Sequence, residues 1–451
     1  MKVVRKPRGV RARRGGIVAM LCLATALAAV PVATAGAAGA AAAATCPDKS
    51  GTVKVGMSYF GSVGAAVEGI GAEEQGALVP ADQAIVDGYN RGIDALNDAG
   101  GLNGCQVEGV FFNFSASASD YNAQSQKECA AFTQDEKVVA VYTTAFETKV
   151  AIDCYAKAKV PAFVLGTNYP PSCADQKAYP GIVYTPGSVY TCRFASFIKL
   201  WDDAGLFPED ANVGIVTMDD GSGQGPFLAD KVWGAQLKKM KIPVTSFKYT
   251  GSINSAAFSD VNAALGNAVL QFKAAGVNVV LFTPAGGQGP AAFMPQASTQ
   301  NFSPNYGVNT SDGLVIAAAL GGAGLKKGIA VSWTFQDIPL SDQQALPANS
   351  SIEECASWST PSTRTLTGAS GACDFFNILK AGFEGAKKMD APSLYKGISA
   401  LGTSFISSTT YDGATKFAKG RTDGASKAMM LEFDPTTKTW VPINGKLVDL
   451  P

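Results

Sequence analysis

Strand and helix patterns alternate along most of this 451-residue chain. Residues 53–57 are predicted to form a strand because their apolar side chains alternate and include β-branched Val. Residues 82–99 are predicted to form a helix because Ile85, Tyr89 and Ile93 fall on one helical face. The same succession starts again after residue 189. Such alternation is typical of α/β proteins with parallel sheets, and two tandem runs predict two lobes.

The same patterns predict the remaining elements. Strands are expected at residues 107–112, 138–142, 161–165, 213–217, 244–249 and 277–282, with a final β pair at 429–433 and 439–443. Helices are expected at residues 120–134, 146–159, 194–204, 229–240, 256–275, 314–322, 373–388 and 393–401. Residues 337–367 are rich in Ser, Pro, Thr and Ala, which predicts an irregular excursion.

The first 45 residues have the order of a secretory signal peptide. Seven basic residues lie within the first 14 positions, an apolar run follows at residues 17–30, and small residues surround Ala33. We therefore predict a cleaved signal peptide with an Ala-rich spacer over residues 1–45, and an exported protein of the periplasm or cell envelope. An uncleaved membrane anchor is the alternative. No later apolar stretch of membrane-spanning length is free of charge and Pro.

Composition excludes several kinds of chemistry. The chain has no His, which excludes Ser-His-Asp and Cys-His catalysis and His-ligated metals. Of its 37 basic residues seven lie in the leader, so 30 remain against 37 acidic ones. This mildly acidic body has no Lys/Arg stripe, which argues against nucleic acid as a partner. We predict neither a metal nor a cofactor.

Cysteines indicate disulfides. Cys22 falls in the signal peptide, which leaves an even number of cysteines in an exported chain, where disulfides persist. A metal site is disfavoured because no CxxC spacing occurs. Their connectivity is open at this point. The candidates are Cys46, Cys105, Cys129, Cys154, Cys173, Cys192, Cys355 and Cys373.

Two motifs deserve a chemical interpretation. Residues 221–225, Gly-Ser-Gly-Gln-Gly, lie between a strand and a helix but lack the Lys-Ser/Thr of a phosphate loop. We interpret them as a strand-to-helix turn whose amides are suited to an anionic group. Asp312 lies in Thr-Ser-Asp-Gly, just before a predicted helix. It is either the N-cap of that helix or a ligand carboxylate, and one residue can be both.

Several segments resemble one family of binding proteins. Residues 98–104, Asp-Ala-Gly-Gly-Leu-Asn-Gly, are similar to the "NAAGGINGR" signature of the leucine/isoleucine/valine-type periplasmic binding proteins. Residues 221–225 resemble the family's "AYGQG" turn, and residues 306–313 resemble its "YxGxDG" stretch. These matches occur in the family's order, and the similarity covers nearly all of residues 51–445.

The resemblance implies an α/β chain of the type I periplasmic-binding-protein fold. Two doubly wound parallel-sheet lobes would be joined by three crossovers, which we place near Pro186, Trp333 and Lys427. Lobe 1 would comprise residues 46–187 and 333–426, and lobe 2 residues 188–332 and 427–451. A ligand would lie between the lobes, at the carboxyl ends of the strands.

The resemblance also implies roles for individual residues. Thr144 and Thr167 fall where the family binds an amino-acid carboxylate, and Asp312 falls on its ammonium-binding acid. Ser222 replaces the family's turn Tyr, so the side-chain pocket is changed and a branched-chain amino acid is not assumed. The candidate ligand-binding residues are Thr144, Phe146, Thr167, Asn168, Ser222, Asp312 and Tyr59.

In a doubly wound lobe with strand order 2-1-3, the starts of the first two strands and the second and third helices are neighbours, which brings the first two pairs of cysteines together. The third pair flanks the first crossover, and the fourth closes the irregular excursion. We therefore expect four sequential disulfides. The pairs are Cys46–Cys105, Cys129–Cys154, Cys173–Cys192 and Cys355–Cys373.

These features predict an exported, monomeric solute-binding protein of an ABC importer. It would close two lobes on a small polar ligand, an amino acid or a related compound, and deliver it to a membrane permease. A ligand-sensing receptor ectodomain of the same fold is one alternative, and a membrane anchor would distinguish it. A carboxylate-dependent glycoside hydrolase is another, and it would need two acids about 5 to 9.5 Å apart in one cleft.

Overall fold

A computed structural model of the chain shows two separate β-sheets with helices packed on them. No helix in the described part of the chain is both long and apolar enough to cross a membrane. The structure describes residues 46, 51–61, 82–115, 120–143, 148–164, 178–185, 191–219, 223–250, 255–283, 288–321, 325–338, 343, 351, 354–355 and 369–450. The predicted signal peptide and most of the predicted excursion at residues 337–367 lie outside these residues.

The first sheet has five parallel strands in the order β2-β1-β3-β4-β5. It confirms the predicted 2-1-3 arrangement. Strand β5 is missing from the sequence prediction. The strands are β1 Thr52–Gly61, β2 Gln106–Ser115, β3 Ala140–Thr143, β4 Ala162–Val164 and β5 Ile182–Tyr184. The helices between them are α1 Asp82–Asp98, α2 Tyr121–Ala130 and α3 Lys149–Ala158. A π-helical segment, Ala131–Asp135, extends α2.

Local sequence explains how α1 leads into β2. Tyr89, Ile93 and Leu96 are buried on the face that packs against the sheet, as their spacing predicts. The helix is followed by Gly100 and Gly101, both with positive φ. A Cβ atom on Gly101 would lie 2.0 Å from the carbonyl oxygen of Cys105, so only Gly fits this turn.

The second sheet has seven strands in the order β12-β11-β10-β9-β8-β6-β7. Strands β6 to β10 are parallel, whereas β11 and β12 run antiparallel at one edge. The strands are β6 Val213–Met218, β7 Val244–Tyr249, β8 Val279–Phe282, β9 Asn305–Asn309, β10 Gly328–Ser332, β11 Lys427–Asp434 and β12 Thr439–Asp449.

Helices cover this second sheet, and two of them are joined end to end with other helical segments. The helix α4 Phe197–Asp203 follows a 3₁₀ turn Thr191–Ser196. Helix α5 is continuous over residues 224–239, as an α turn Gln224–Phe227, a π segment Leu228–Trp233 and an α segment Gly234–Lys239. The others are α6 Ser255–Ala274, α7 Gln288–Thr299 and α8 Leu314–Gly321.

After β10 the chain returns to the first sheet, where helices α9 Ala369–Phe383 and α10 Ala391–Leu401 share one apolar core with β1 and α1. The chain then re-enters the second sheet as β11. It therefore passes between the sheets three times, which confirms the predicted class of two doubly wound lobes. Helix α9 ends earlier than predicted, because Gly385 has a φ of 67°.

Helices α9 and α10 cross with their backbones in contact. A Cβ atom on Gly397 would lie 1.9 Å from the carbonyl oxygen of Gly382. Interiors packed this closely do not absorb an added methyl group without moving backbone.

We expect Gly397→Ala to lower the free energy of unfolding by about 2 to 3 kcal/mol, because α10 must move away from α9. Urea denaturation would measure this change. Gly266→Ala in α6 is the matched control, because Gly266 is also a helical glycine and a Cβ atom there would meet its nearest atom, Gln296 Oε1, at an ordinary 3.4 Å. An effect of Gly397→Ala no larger than that of the control would contradict this packing argument.

Three of the four predicted disulfides are present in the structure. Their Cα–Cα distances are 5.8 Å for Cys46–Cys105, 6.4 Å for Cys129–Cys154 and 5.7 Å for Cys355–Cys373. All three lie in the part of the chain that packs around the first sheet. The predicted pair Cys173–Cys192 lies outside what the structure describes.

Two of the connections between the sheets run side by side. Thr334, just after β10, forms an antiparallel bridge with Thr410, and the Phe335 amide donates to the carbonyl oxygen of Thr409 at 3.4 Å. The third passage also lies along the first sheet, since Tyr184 at the end of β5 bridges Asp423. These contacts join the connecting segments to each other and to the first sheet.

Candidate functional site

Hydroxyl side chains lie where β1 and β3 end. Ser58 and Thr143 are register partners on these neighbouring strands and are both fully buried. In open α/β sheets the ligand crevice lies beyond the carboxyl ends of strands such as these, where the strand order reverses. The Ser58 Oγ atom has no hydrogen-bond partner among the described residues. It is therefore available for a polar group of a ligand.

The second sheet has a similar arrangement at its own reversal point, between β6 and β8. Thr217 and Thr283 lie at the ends of these strands and are buried. The Thr283 hydroxyl accepts a hydrogen bond from the Met218 amide at 3.3 Å, whereas the Thr217 Oγ1 atom has no partner in the described part of the chain. Helix α5 begins beside them at Gln224, and its N-cap, Gly223, supplies no side-chain cap.

Ser58 and Thr217 are absent from the sequence prediction of the site. Each interrupts an apolar strand, as Met-Ser-Tyr and Val-Thr-Met, and that interruption is the signal that was missed. Strands commonly contain such hydroxyl residues, so sequence alone does not distinguish these two from others. Their place at the carboxyl ends of strands beside the two reversal points marks them, together with complete burial without a partner among the described residues, since buried polar groups are ordinarily hydrogen-bonded.

Of the seven predicted ligand residues, the structure places two. Tyr59 lies near the carboxyl end of β1 opposite Asn113, and burial, together with the charge of Asp82, raises its pKa. Asp312 lies directly after β9. Thr144, Phe146, Thr167, Asn168 and Ser222 lie outside the described residues.

Asp312 lies in a 3₁₀ turn, Thr310–Asp312, directly after β9 and is fully buried. Its Oδ2 atom accepts hydrogen bonds from the Asn309 amide at 2.9 Å and from Asn309 Nδ2 at 2.7 Å. The interpretation of Asp312 as the N-cap of the following helix is wrong. Asn309 caps the 3₁₀ turn, Asp312 closes its capping box, and Gly313 separates Asp312 from α8.

The second oxygen of Asp312 has no such contacts. Oδ1 is buried and lacks a hydrogen-bond partner among the described residues. Burial raises the pKa of Asp312 well above its ordinary value, and the hydrogen bond from Asn309 opposes only part of that effect. A cation placed against Oδ1 would supply the missing donor and favour the charged carboxylate.

A second buried carboxylate holds the turn that carries Asp312. Asp337 Oδ2 accepts from the Thr310 hydroxyl at 2.5 Å and from the Ser332 hydroxyl at 2.8 Å. Ser332 in turn contacts the Tyr411 hydroxyl at 2.9 Å. Burial raises the pKa of Asp337 to about 6, against the lowering effect of both hydroxyl donors. This cluster therefore connects the Asp312 turn to both connecting segments that run side by side.

Among the described residues no group of three or more Cys, Asp or Glu side chains is arranged to hold a metal ion. The candidate ligand groups at the strand ends of the two sheets are buried hydroxyls and one carboxylate with an unused oxygen. Such groups orient a small polar molecule by hydrogen bonds and charge.

No protein-family model and no curated protein matches this chain. Solved structures do match it. A branched-chain amino acid ABC transporter protein from Thermus thermophilus with bound valine is 15% identical, with a TM-score of 0.59, over 87% of this chain and 95% of that one. The substrate-binding protein LivJ from Streptococcus pneumoniae in complex with isoleucine is 16% identical, with a TM-score of 0.58, over 88% and 99% of the two chains.

A solute-binding protein from R. palustris in complex with 4-hydroxybenzoate is 14% identical, with a TM-score of 0.59, over 89% of this chain and 98% of that one. At such low identity the likeness concerns the fold, and it extends over nearly the whole of each matched protein. The chain therefore has the type I periplasmic-binding-protein fold, as its sequence resemblance predicts.

Proposed function

We propose that this chain is an exported solute-binding protein that closes two lobes on a small polar ligand and delivers it to the permease of an ABC importer. The matched structures support this proposal because they are binding proteins whose ligands include valine, isoleucine and 4-hydroxybenzoate. The proposal involves no catalytic step. It keeps the predicted lobes, residues 46–187 with 333–426 and residues 188–332 with 427–451, and a cleaved leader.

The observation that carries the proposal is the unused oxygen of Asp312. A fully buried carboxylate with one unpartnered oxygen is costly for a folded protein. A ligand ammonium group would offset this cost, since it brings both a donor and a positive charge. We therefore propose an amino acid or a related amine-bearing compound as the ligand. Thr144, Phe146, Thr167, Asn168, Ser222 and Tyr59 are proposed as its other contacts.

The ligand can be identified directly. Purified protein would be denatured, and the small molecules that it releases would be analysed by mass spectrometry. An amine-bearing solute that rebinds the refolded protein with micromolar or better affinity would support the proposal. Release of a molecule without an amine, with no rebinding of amino acids, would contradict the assignment to Asp312.

We expect Asp312→Asn to weaken binding of that solute by about 30-fold or more, which corresponds to about 2 to 5 kcal/mol for a lost buried charge pair. The Asn side chain still offers an oxygen to the Asn309 amide, so the capping box is retained. Isothermal titration calorimetry would measure the affinity, with the exposed Asp260→Asn as the control. Unchanged affinity would point instead to a neutral or anionic solute.

Binding should also release a proton. Because burial raises the pKa of Asp312, its carboxyl keeps its proton to a higher pH in the free protein than an exposed aspartate does, and pairing with an ammonium favours its ionisation. The affinity should therefore rise with pH until the free carboxyl ionises. Calorimetry in buffers of different ionisation enthalpy would count the protons, and Asp312→Asn should abolish their release.

A further inference from the structure

The sequence contains two Asn-Gly pairs, which differ in how the fold holds them. The first is Asn103–Gly104, between α1 and β2, and the second is Asn444–Gly445, within β12. In such a pair the backbone nitrogen after Asn belongs to a residue without a side chain, so it can approach the Asn side-chain amide with little hindrance. The pair is therefore chemically reactive wherever the backbone is free to bring these atoms together.

Residues 443–446 form a bulge on the edge strand β12. In the register of β11 with β12, Met429 lies opposite Leu447. Leu431 lies opposite Pro442, so two steps along β11 correspond to five along β12, and three additional residues are accommodated in β12. Strand β12 is the outermost strand of the second sheet, and all residues of the bulge are exposed.

Within this bulge the side-chain amide of Asn444 is accessible. Its Oδ1 atom accepts a hydrogen bond from the Lys446 amide at 2.9 Å, whereas its Nδ2 atom makes no hydrogen bond to the described residues. Gly445 has a φ of 65°, and a Cβ atom there would meet nothing within 4 Å. The Lys446 amide polarises the side-chain carbonyl of Asn444 and would stabilise the negative charge that develops on its oxygen when a nucleophile adds.

The other pair is held in a closed turn. Leu102 and Cys105 exchange both backbone hydrogen bonds, at 3.0 and 2.9 Å, and the Asn-Gly pair is the two-residue loop between them. Asn103 Nδ2 donates to the carbonyl oxygen of Phe383, the last residue of α9, at 2.7 Å. A reaction that removes this nitrogen would first require the turn to separate from α9.

We propose that Asn444 is a site of spontaneous deamidation in the folded protein. The backbone nitrogen of Gly445 loses its proton and forms a bond to Cγ of Asn444, the bond from Cγ to Nδ2 breaks, and ammonia leaves with that proton. Water then opens the resulting succinimide at either carbonyl carbon, which gives aspartate or isoaspartate. The reaction needs no other reactant. It places a negative charge on the edge of the second sheet and does not depend on the proposed function.

The test follows the intact, disulfide-bonded chain during incubation in mildly alkaline buffer, which favours loss of the amide proton. Peptides are analysed by mass spectrometry with fragmentation that separates aspartate from isoaspartate, and a sample taken at the start corrects for reaction during digestion. We expect both products to accumulate about tenfold or more faster at Asn444 than at Asn103, where reaction needs prior local opening. Equal rates, or a faster rate at Asn103, would overturn the proposal.

Denaturation separates the effect of the fold from that of the sequence. Each Asn follows an aliphatic residue, Leu102 or Ile443, and precedes a glycine where a Cβ atom would meet nothing within 4 Å. In reduced protein dissolved in urea we therefore expect the two Asn residues to react at similar rates. A preference for Asn444 that is as large in urea as in the folded protein would show that the bulge does not set the rate, and the structural assignment would then be wrong.

Substitution identifies the attacking group, although the comparison of the two pairs in the wild-type chain needs no variant. We expect Gly445→Ala to slow the reaction at Asn444 about tenfold or more, because a side chain hinders the approach of the backbone nitrogen. Gly205→Ala is the matched control, since Gly205 also has a positive φ and open surroundings, and it should leave the rate unchanged. Isoaspartate formation at the wild-type rate in folded Gly445→Ala would contradict attack by this nitrogen.

Discussion

Asp374→Ala should lower the free energy of unfolding by about 3 to 5 kcal/mol, because this carboxylate is the common acceptor of a buried cluster. Asp374 lies on α9 and is fully buried. Its oxygens accept hydrogen bonds from the Ser407 hydroxyl at 2.6 Å, the Ser408 amide at 2.7 Å, the Ser408 hydroxyl at 2.9 Å and the Thr409 hydroxyl at 3.0 Å.

Truncation to Ala would leave these donors unequally affected. The Ser407 and Thr409 hydroxyls are 2.9 Å apart and can bond to each other. The amide and hydroxyl of Ser408 lose their acceptor, and each such loss costs about 1 to 3 kcal/mol. The segment that holds them leads directly to Thr410, which forms an antiparallel bridge with Thr334 on the neighbouring connection.

Urea denaturation at pH 7 would measure the effect, and Asp374→Asn is the matched control. Asn keeps an acceptor for the Ser408 amide, and the neighbouring hydroxyls can turn to accept from its NH₂ group. We expect the Asn variant to lose much less stability than the Ala variant. Equal losses in the two variants would show that packing around residue 374, and not its hydrogen bonds, holds the segment.

Stability should fall as the pH rises from about 4 to about 6. Burial raises the pKa of both Asp337 and Asp374 from 3.8 to about 6, and the hydroxyl and amide donors around them offset only part of that effect. In this range the folded protein binds more protons than the unfolded chain, so raising the pH favours unfolding. The contribution of these two carboxyls to the free energy of unfolding is fully present below pH 3.8 and is lost as the pH passes about 6.

Each aspartate contributes about 3 kcal/mol to this fall, since a shift of about two pKa units is worth about 1.4 kcal/mol per unit. Asp312, whose pKa is also raised by burial, acts in the same direction in the ligand-free protein. The lowered pKa values of Asp153, Asp390 and Asp434 act in the opposite direction, but below pH 3.8 and at partly exposed positions, where solvent screens the effect.

Denaturation curves between pH 4 and pH 7.5 would test this expectation. The double variant Asp337→Asn and Asp374→Asn should show a much flatter profile than the wild-type protein, because neither residue can then ionise. A wild-type profile that rises with pH over this range would contradict the assignment of raised pKa values to these two carboxyls.

The sequence by itself determined the class of fold and many of its elements. Strand β7 has the predicted bounds, and α1 and α6 lie within one residue of theirs, because hydrophobic period and glycine stops are local properties. The three disulfides present in the structure were also predicted, two because the order of strands makes their elements neighbours and Cys355–Cys373 because it closes the irregular excursion. The resemblance to the type I binding proteins predicts that order.

Only the tertiary structure decided how the polar residues are used. The sequence places Asp312 before a helix, but its burial, its bonds to Asn309 and its unused oxygen depend on how β9 packs among neighbouring strands. Likewise Asp337, Asp374 and Asp423 resemble surface acids in sequence. Their roles arise because residues distant along the chain, such as Ser332 with Tyr411 and Arg193 with Asp423, are brought together by folding, and no local pattern records such contacts.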